Sequence, residues 1–199
     1  MAPGVINYAR SEMSRWKPDA AGRLIKAAIT LFAEQGYEET TVAEIAERAG
    51  LTKRTFFRYF SDKREVLFSG SGELERLWLE AMAGAPAKAT PLAVVTAGLD
   101  PVAELFIERH DFARIRARII EANPELKERE LIKLQTLTGA IKAALIERGV
   151  SATAAILAAQ SGVTVFHVAF TNWVHQDDPT AFRRMMGESL QELRAVIAS

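Results

Sequence analysis

From Asp19 onward the apolar positions of this chain recur at helical spacing. Leu24, Ala28, Leu31 and Phe32 share one face, and Arg23, Lys26 and Glu34 lie off it. Gly36 predicts the end of that helix, because glycine tolerates the positive φ common after a last turn. Thr41-Val42-Ala43-Glu44 reads as a capping box, opening a short helix that buries Val42, Ile45, Ala46 and Ala49 and ends at Gly50. Thr52 predicts the cap of a third helix stopping near Phe60. Ser61 predicts the cap of a fourth, running past Phe68 with an interruption at residues 69–72. Residues 1–18 have no such period and read as a mobile arm.

Further along, residues 83–91 (AGAPAKATP) read as a loop, and Asp100-Pro101 breaks one helix and starts another. Phe112, Ile115 and Ile119 mark the next helix. Asn123-Pro124 caps and opens one that runs to Gly149 through Leu131, Leu134, Leu137, Ile141 and Leu145. Ser151 caps another, and Asp178-Pro179 opens the last, with Phe182, Met186, Leu190, Leu193 and Ile197 on one stripe. The expected fold is all-α, about nine helices: a small N-terminal bundle over 19–66 and a larger helical domain over 67–199.

The first three helices, with a glycine turn between the second and third, make a helix-turn-helix. On a wheel of about 100° per residue, Phe56 and Phe60 of the third helix face inward and Arg54, Thr55 and Arg58 lie opposite. Phe57 and Tyr59 form the flanks. Charge sharpens this picture. The 199 residues carry 25 Lys/Arg against 25 Asp/Glu, yet Lys53 to Arg64 holds five basic residues against Asp62 alone. A local basic patch on a neutral protein fits a small footprint on a polyanion. An arginine ridge with amphipathic shoulders suits the major groove, where arginine reads guanine and the shoulders meet sugar and phosphate.

Residues 19–68 resemble the DNA-binding domain of the tetracycline-repressor (TetR) family of bacterial regulators. The likeness is carried by Leu31 to Tyr37, Thr40 to Ala46, Ala49 to Thr52, Thr55 to Phe60 and Asp62-Lys63. It implies that Thr41, Thr52, Lys53, Tyr59 and Lys63 touch phosphates, while Arg54, Thr55 and Arg58 read bases. Phe57 stands where the family often has tyrosine, leaving an apolar contact, for example with a thymine methyl. Arg54 replaces a frequent glycine and adds a base reader. Residues 116–130 resemble a subgroup of actinobacterial regulators that includes the mycofactocin-system regulator, which responds to acyl-coenzyme A thioesters.

Ser151 to Gln176 contains no Asp, Glu, Lys or Arg. That length could span a bilayer, but Gln160, Ser161, Thr164, His167, Thr171, Asn172 and His175 make it too polar for a membrane segment. A helix apolar nearly all round must be buried on several sides. A second copy of the chain is the expected cover, through Ala155, Ala158, Ala159 and Gly162 with Phe182, Met186, Leu190 and Leu193. The family resemblance implies the same arrangement, a dimer built on the last two helices.

Trp78, Phe106, Ile115, Arg116, Phe166, His167, Phe170 and Trp173 form the candidate effector pocket, apolar with few polar groups. Arg116 or Arg118, turned inward, would favour an anionic head on an acyl chain. The chain has no cysteine, so thiolate metal sites and disulfides are excluded. Its three histidines, at 110, 167 and 175, are too scattered for a metal cluster. The glycines at 70 and 72 lack the strand and the third glycine of a dinucleotide loop. No catalytic group, metal or cofactor is expected, and residues 1–20 carry neither a signal peptide nor an anchor, which makes the cytoplasm the expected compartment. The expectation is a homodimeric, effector-released repressor on a near-palindromic DNA operator. The rivals are an activator without effector and a helical small-molecule-binding protein that does not act on DNA.

Overall fold

The computed structural model describes residues 19–198. The arm expected over 1–18 lies outside the described residues. Every regular element among those described is helical, and the chain divides into two compact units between Leu67 and Phe68.

The N-terminal unit holds α1 (Ala20–Gln35), α2 (Val42–Arg48) and α3 (Lys53–Tyr59), followed by a 3₁₀ turn at Glu65–Phe68 that reaches the unit boundary. Leu24, Ala28, Leu31 and Phe32 of α1 are buried as the period predicts, and Gly36 ends the helix at φ 93°. The capping box is complete: the Thr41 hydroxyl accepts from the Glu44 amide, while the Glu44 carboxylate accepts from the Thr41 amide at 2.8 Å. Gly50 turns the chain between α2 and α3 at φ 64°, and the Thr52 hydroxyl accepts from the Thr55 amide at 3.2 Å. These boundaries follow from a side chain or glycine within three residues of each, whereas Asp19 makes no side-chain cap at the start of α1.

The expected fourth helix beginning at Ser61 does not form. The Asp62 carboxylate accepts the amides of Arg64 (2.8 Å) and Glu65 (3.2 Å), closing a tight turn that leads into the 3₁₀ segment. The long helix restarts at Ser71, so the glycine-rich residues 69–72 introduce it and do not interrupt it.

The C-terminal unit holds α4 (Ser71–Gly84), α5 (Pro91–Thr96), α6 (Leu99–Ile107), α7 (His110–Ala122), α8 (Pro124–Glu147), α9 (Ala152–Trp173) and α10 (Ala181–Ala198). Helix α9 is the centre, packed against α5, α8 and α10. Thr90 and Ser151 cap α5 and α9 through their hydroxyls, and Pro91 and Pro124 open α5 and α8. The loop expected over 83–91 is therefore shorter at both ends. The Asn123 side chain does not cap α8; it donates backwards to the Ile119 carbonyl at 2.6 Å. The last helix starts at Ala181, because Asp178 spends its carboxylate on the Thr180 amide and hydroxyl. Leu131 and Ile197, expected on buried stripes, are exposed.

The expected dimer residues face inward within the single chain. Ala155, Ala158, Ala159 and Gly162 of α9 and Phe182 and Met186 of α10 are buried in the unit's own core, and Leu190 and Leu193 pack partly against it. The small residues serve close approach of α5: a Cβ on Gly162 would lie 2.2 Å from Val95 Cγ1. Helix α9 is long and apolar enough to cross a membrane, with 22 residues and a mean hydropathy of 1.5. Its large side chains, Phe166, Phe170 and Trp173, are instead packed inside the unit.

Candidate nucleic-acid interface

Helix α3 has two chemically distinct faces. Phe56 and Phe60 are buried with ring centroids 5.5 Å apart, and they hold α3 in the bundle. On the other side Lys53, Arg54 and Arg58 are exposed, and none forms a salt bridge with a carboxylate among the described residues. Phe57 is 56 % and Tyr59 44 % exposed, an unusual outlay of aromatic surface unless it meets a partner. The Arg58 guanidinium lies 5.0 Å from the centroid of the Tyr59 ring, and its Nη2 donates to the phenol oxygen at 3.3 Å. Arginine and tyrosine thus form one cation–π pair at the end of the ridge.

The threonines are less free. Thr52 and Thr55 hydroxyls lie 3.0 Å apart, and Thr55 is half-buried beneath the ridge. The Thr41 hydroxyl donates to the Glu44 carboxylate at 2.8 Å while remaining on the surface. The Thr41 amide first, and then its hydroxyl, donate to the Glu44 carboxyl and hold it below the ordinary glutamate range. Lys63 does not project from the surface with the ridge; its ammonium is turned onto the carbonyls of Tyr37, Glu38 and Thr40.

Of the candidate effector residues, Trp78, Phe106, Phe166, Phe170 and Trp173 come together in the C-terminal unit. Phe106 is the hub: its ring centroid is 5.6 Å from Phe166, 5.2 Å from Phe170 and 6.4 Å from Trp173. The other three candidates stand apart. Ile115 is 36 % exposed on α7, and His167 is only half-buried. Arg116 does turn inward, but its guanidinium donates to Glu130 at 2.9 Å and lies 5.0 Å from the Phe68 ring centroid. Burial lowers its pKa while Glu130 opposes that shift. Its charge is therefore already matched, and Arg118 is exposed.

Two residues in this cluster were not expected there. Phe182, assigned to the dimer stripe, stacks on Trp173 with centroids 4.4 Å apart. His110 is buried 4.5 Å from the same indole, with no hydrogen-bond partner at Nε2. Periodicity gave no hint of His110, because it opens α7 where no preceding turn fixes the phase of the helix.

Taken together, the N-terminal unit is a helix-turn-helix whose outer helix presents cations and aromatics while its inner face is closed. Known proteins share this region. The model for bacterial regulatory proteins of the tetR family matches residues 24–69, the stretch that carries α2, α3 and the turn between them. It is similar to the HTH-type transcriptional regulator TcmR of Streptomyces glaucescens, 33 % identical over 147 residues, covering 71 % of this chain and 60 % of that relative. The chain thus spans less than two thirds of that relative's length. Its whole fold is similar to a putative TetR-family transcriptional regulator of Syntrophomonas wolfei, at TM-score 0.64 and 15 % identity over 91 % of this chain and 96 % of that one. It is also similar to the transcriptional regulator FadR of Bacillus subtilis in complex with stearoyl-CoA, at TM-score 0.57 and 22 % identity over 85 % and 97 %.

Proposed function

We propose that this chain acts as a homodimeric, effector-responsive repressor that binds near-palindromic double-stranded DNA through α3, in the cytoplasm. The observation that carries the reading is the division of α3: Phe56 and Phe60 locked in the core, with Arg54, Arg58, Phe57 and Tyr59 outside. Arg54, Thr55 and Arg58 read base edges. Thr41, Thr52, Lys53 and Tyr59 touch phosphate, and Phe57 makes an apolar contact in the groove.

The second copy covers the outer face of α9 and α10. Leu157 is 60 % and Val168 45 % exposed on α9, with uncharged Gln160, Thr164 and Thr171 along the same side. Beside them runs a groove of about 400 Å³ lined by Val165, Val168 and Leu193, with Glu188 and Glu192 at its rim. This stripe is opposite to the one the small residues suggested, and it is open in the single chain. Two-fold pairing predicts half-sites about 34–36 Å apart or a multiple of that.

The effector enters the aromatic cluster around Phe106, whose rings select an apolar body. With Arg116 matched by Glu130, that cluster holds no spare cation from α7. The resemblance of residues 116–130 to mycofactocin-system regulators therefore adds no anchor for an acyl thioester head. An effector relieves repression only as far as it prefers the conformation that does not bind DNA.

Selection of bound fragments from the source genome, followed by anisotropy titrations, tests the reading. Arg54→Ala and Arg58→Ala should each cost about 1–3 kcal/mol and relax preference at particular base pairs. Sequence preference unchanged in both variants would remove α3 from the groove.

A further inference from the structure

Helix C-termini leave carbonyl oxygens without intrahelical partners. In this chain, basic side chains donate to carbonyls at helix ends or in the loops just past them at three places. Arg23 of α1 donates to the carbonyls of Ala49 and Gly50, where α2 ends. Arg148 donates to those of Met82 (3.1 Å), in the last turn of α4, and of Ala85 (2.9 Å) and Pro86 (3.0 Å), just past it. Lys63 does it most completely: Nζ lies 2.7 Å from Tyr37 O, 3.0 Å from Glu38 O and 3.1 Å from Thr40 O. The same nitrogen is 4.2 Å from the centroid of the Tyr37 ring.

An ammonium has three protons and no more. Three carbonyl acceptors use all of them, leaving none to donate to a phosphate. The acceptors also have a particular place in the chain. They run up to Thr40, next to Thr41, which caps α2; Lys63 itself stands three residues past Phe60, the C-cap of α3. The tie joins the exit of α3 to the entry of α2.

We infer that Lys63 is a positioning residue for DNA recognition: it fixes α3 against the Thr41 end of α2 and does not itself touch the nucleic acid. This rests on the reading of α3 as the recognition helix. Three carbonyls converging on one nitrogen match a tetrahedral ammonium. No guanidinium nitrogen carries three protons, so an arginine here could reach these carbonyls only by splitting them over two nitrogens, as Arg148 does with its own three, and from a longer side chain than this seat holds. Arginine at this position keeps the charge and loses the tie, which separates positioning from phosphate contact.

The test uses the full chain and DNA fragments selected by the wild-type protein, titrated over a range of salt concentrations. Lys63→Arg and Lys63→Met should both bind about tenfold more weakly, with the slope of log K against log salt unchanged. Near wild-type affinity for Lys63→Arg, with a slope shallower by about one unit for Lys63→Met, is the phosphate-contact result and overturns the inference. A measurement on the wild type covers the case in which the variants fail to fold. The Lys63 ammonium should give a slowly exchanging ¹⁵N–¹H signal in the free protein, unmoved when DNA is added. A signal that appears only with DNA, or that gains coupling to phosphorus, overturns the inference equally. Because the free-protein signal needs no DNA, the tie is tested even if the chain selects no fragment, an outcome that would refute the DNA-binding reading alone.

Discussion

Helices α3 and α9 each carry the oddest composition of their unit, and they yielded to sequence reasoning very differently. In α3 the two faces differ in kind: phenylalanines inside, arginines outside. A helical wheel has one solution there, and the structure adopts it with Phe56 and Phe60 buried. In α9 all sides are uncharged, so the wheel has no charged stripe to orient it. Small residues could line a helix pair inside one chain or between two, and the structure uses them inside, against Val95 of α5. Contrast between faces, more than hydrophobicity, is what makes a helix readable.

The largest effect that would sharpen this contrast comes from α9. Gly162→Asp places an unpaired charge and a Cβ against Val95, and should destabilise the C-terminal unit by about 3–5 kcal/mol. Thermal unfolding would show it as a lost or strongly lowered transition. A folded monomer of normal stability would instead return Gly162 to the dimer interface. Next in size, Leu157→Lys and Val168→Lys on the opposite stripe should leave unfolding nearly unchanged and weaken dimerisation by about 1.5–3 kcal/mol for each side chain buried between copies. Sedimentation equilibrium reads this directly, and an unchanged dimer would place the interface elsewhere.

Effects in the N-terminal unit are smaller, because its boundaries are set by single caps. Thr52→Ala removes the acceptor for the Thr55 amide and should cost about 1 kcal/mol of stability. Urea unfolding checks it, and no loss would mean that another group caps α3. Smallest is the acid response of the capping box. Glu44 has its folded pKa depressed by Thr41, so its contribution is present above the ordinary glutamate range and is lost as pH falls through the depressed value. Glu44→Gln should keep stability near neutral pH and flatten that acid limb. An unchanged limb would assign it to Asp62, whose carboxyl is also depressed, first by its hydrogen bond from Arg64.

Lys63 shows the limit of reasoning from resemblance. Its residue type and place in the pattern pointed to phosphate, yet the acceptors that claim its ammonium are backbone atoms 23 to 26 residues earlier. Backbone carbonyls have no letter in the sequence. The same holds for the aromatic cluster, where five expected residues do meet, while Ile115, Arg116 and His167 separate from it because neighbouring helices set the rotation of α7 and α9.

What the sequence determined by itself was local. The capping box at Thr41, the hydroxyl caps at Thr52 and Ser151, the positive-φ stops at Gly36 and Gly50, and the divided α3 all depend on atoms a few residues apart. Where two local devices competed, the reading failed, as when Asp62 and not Ser61 organised the turn after α3. Tertiary structure alone decided which side of α9 is spent inside the chain, which partner holds Arg116, and where Lys63 points. Each of these is a choice among contacts of similar energy, and only the packing of elements distant in sequence makes one of them geometrically available.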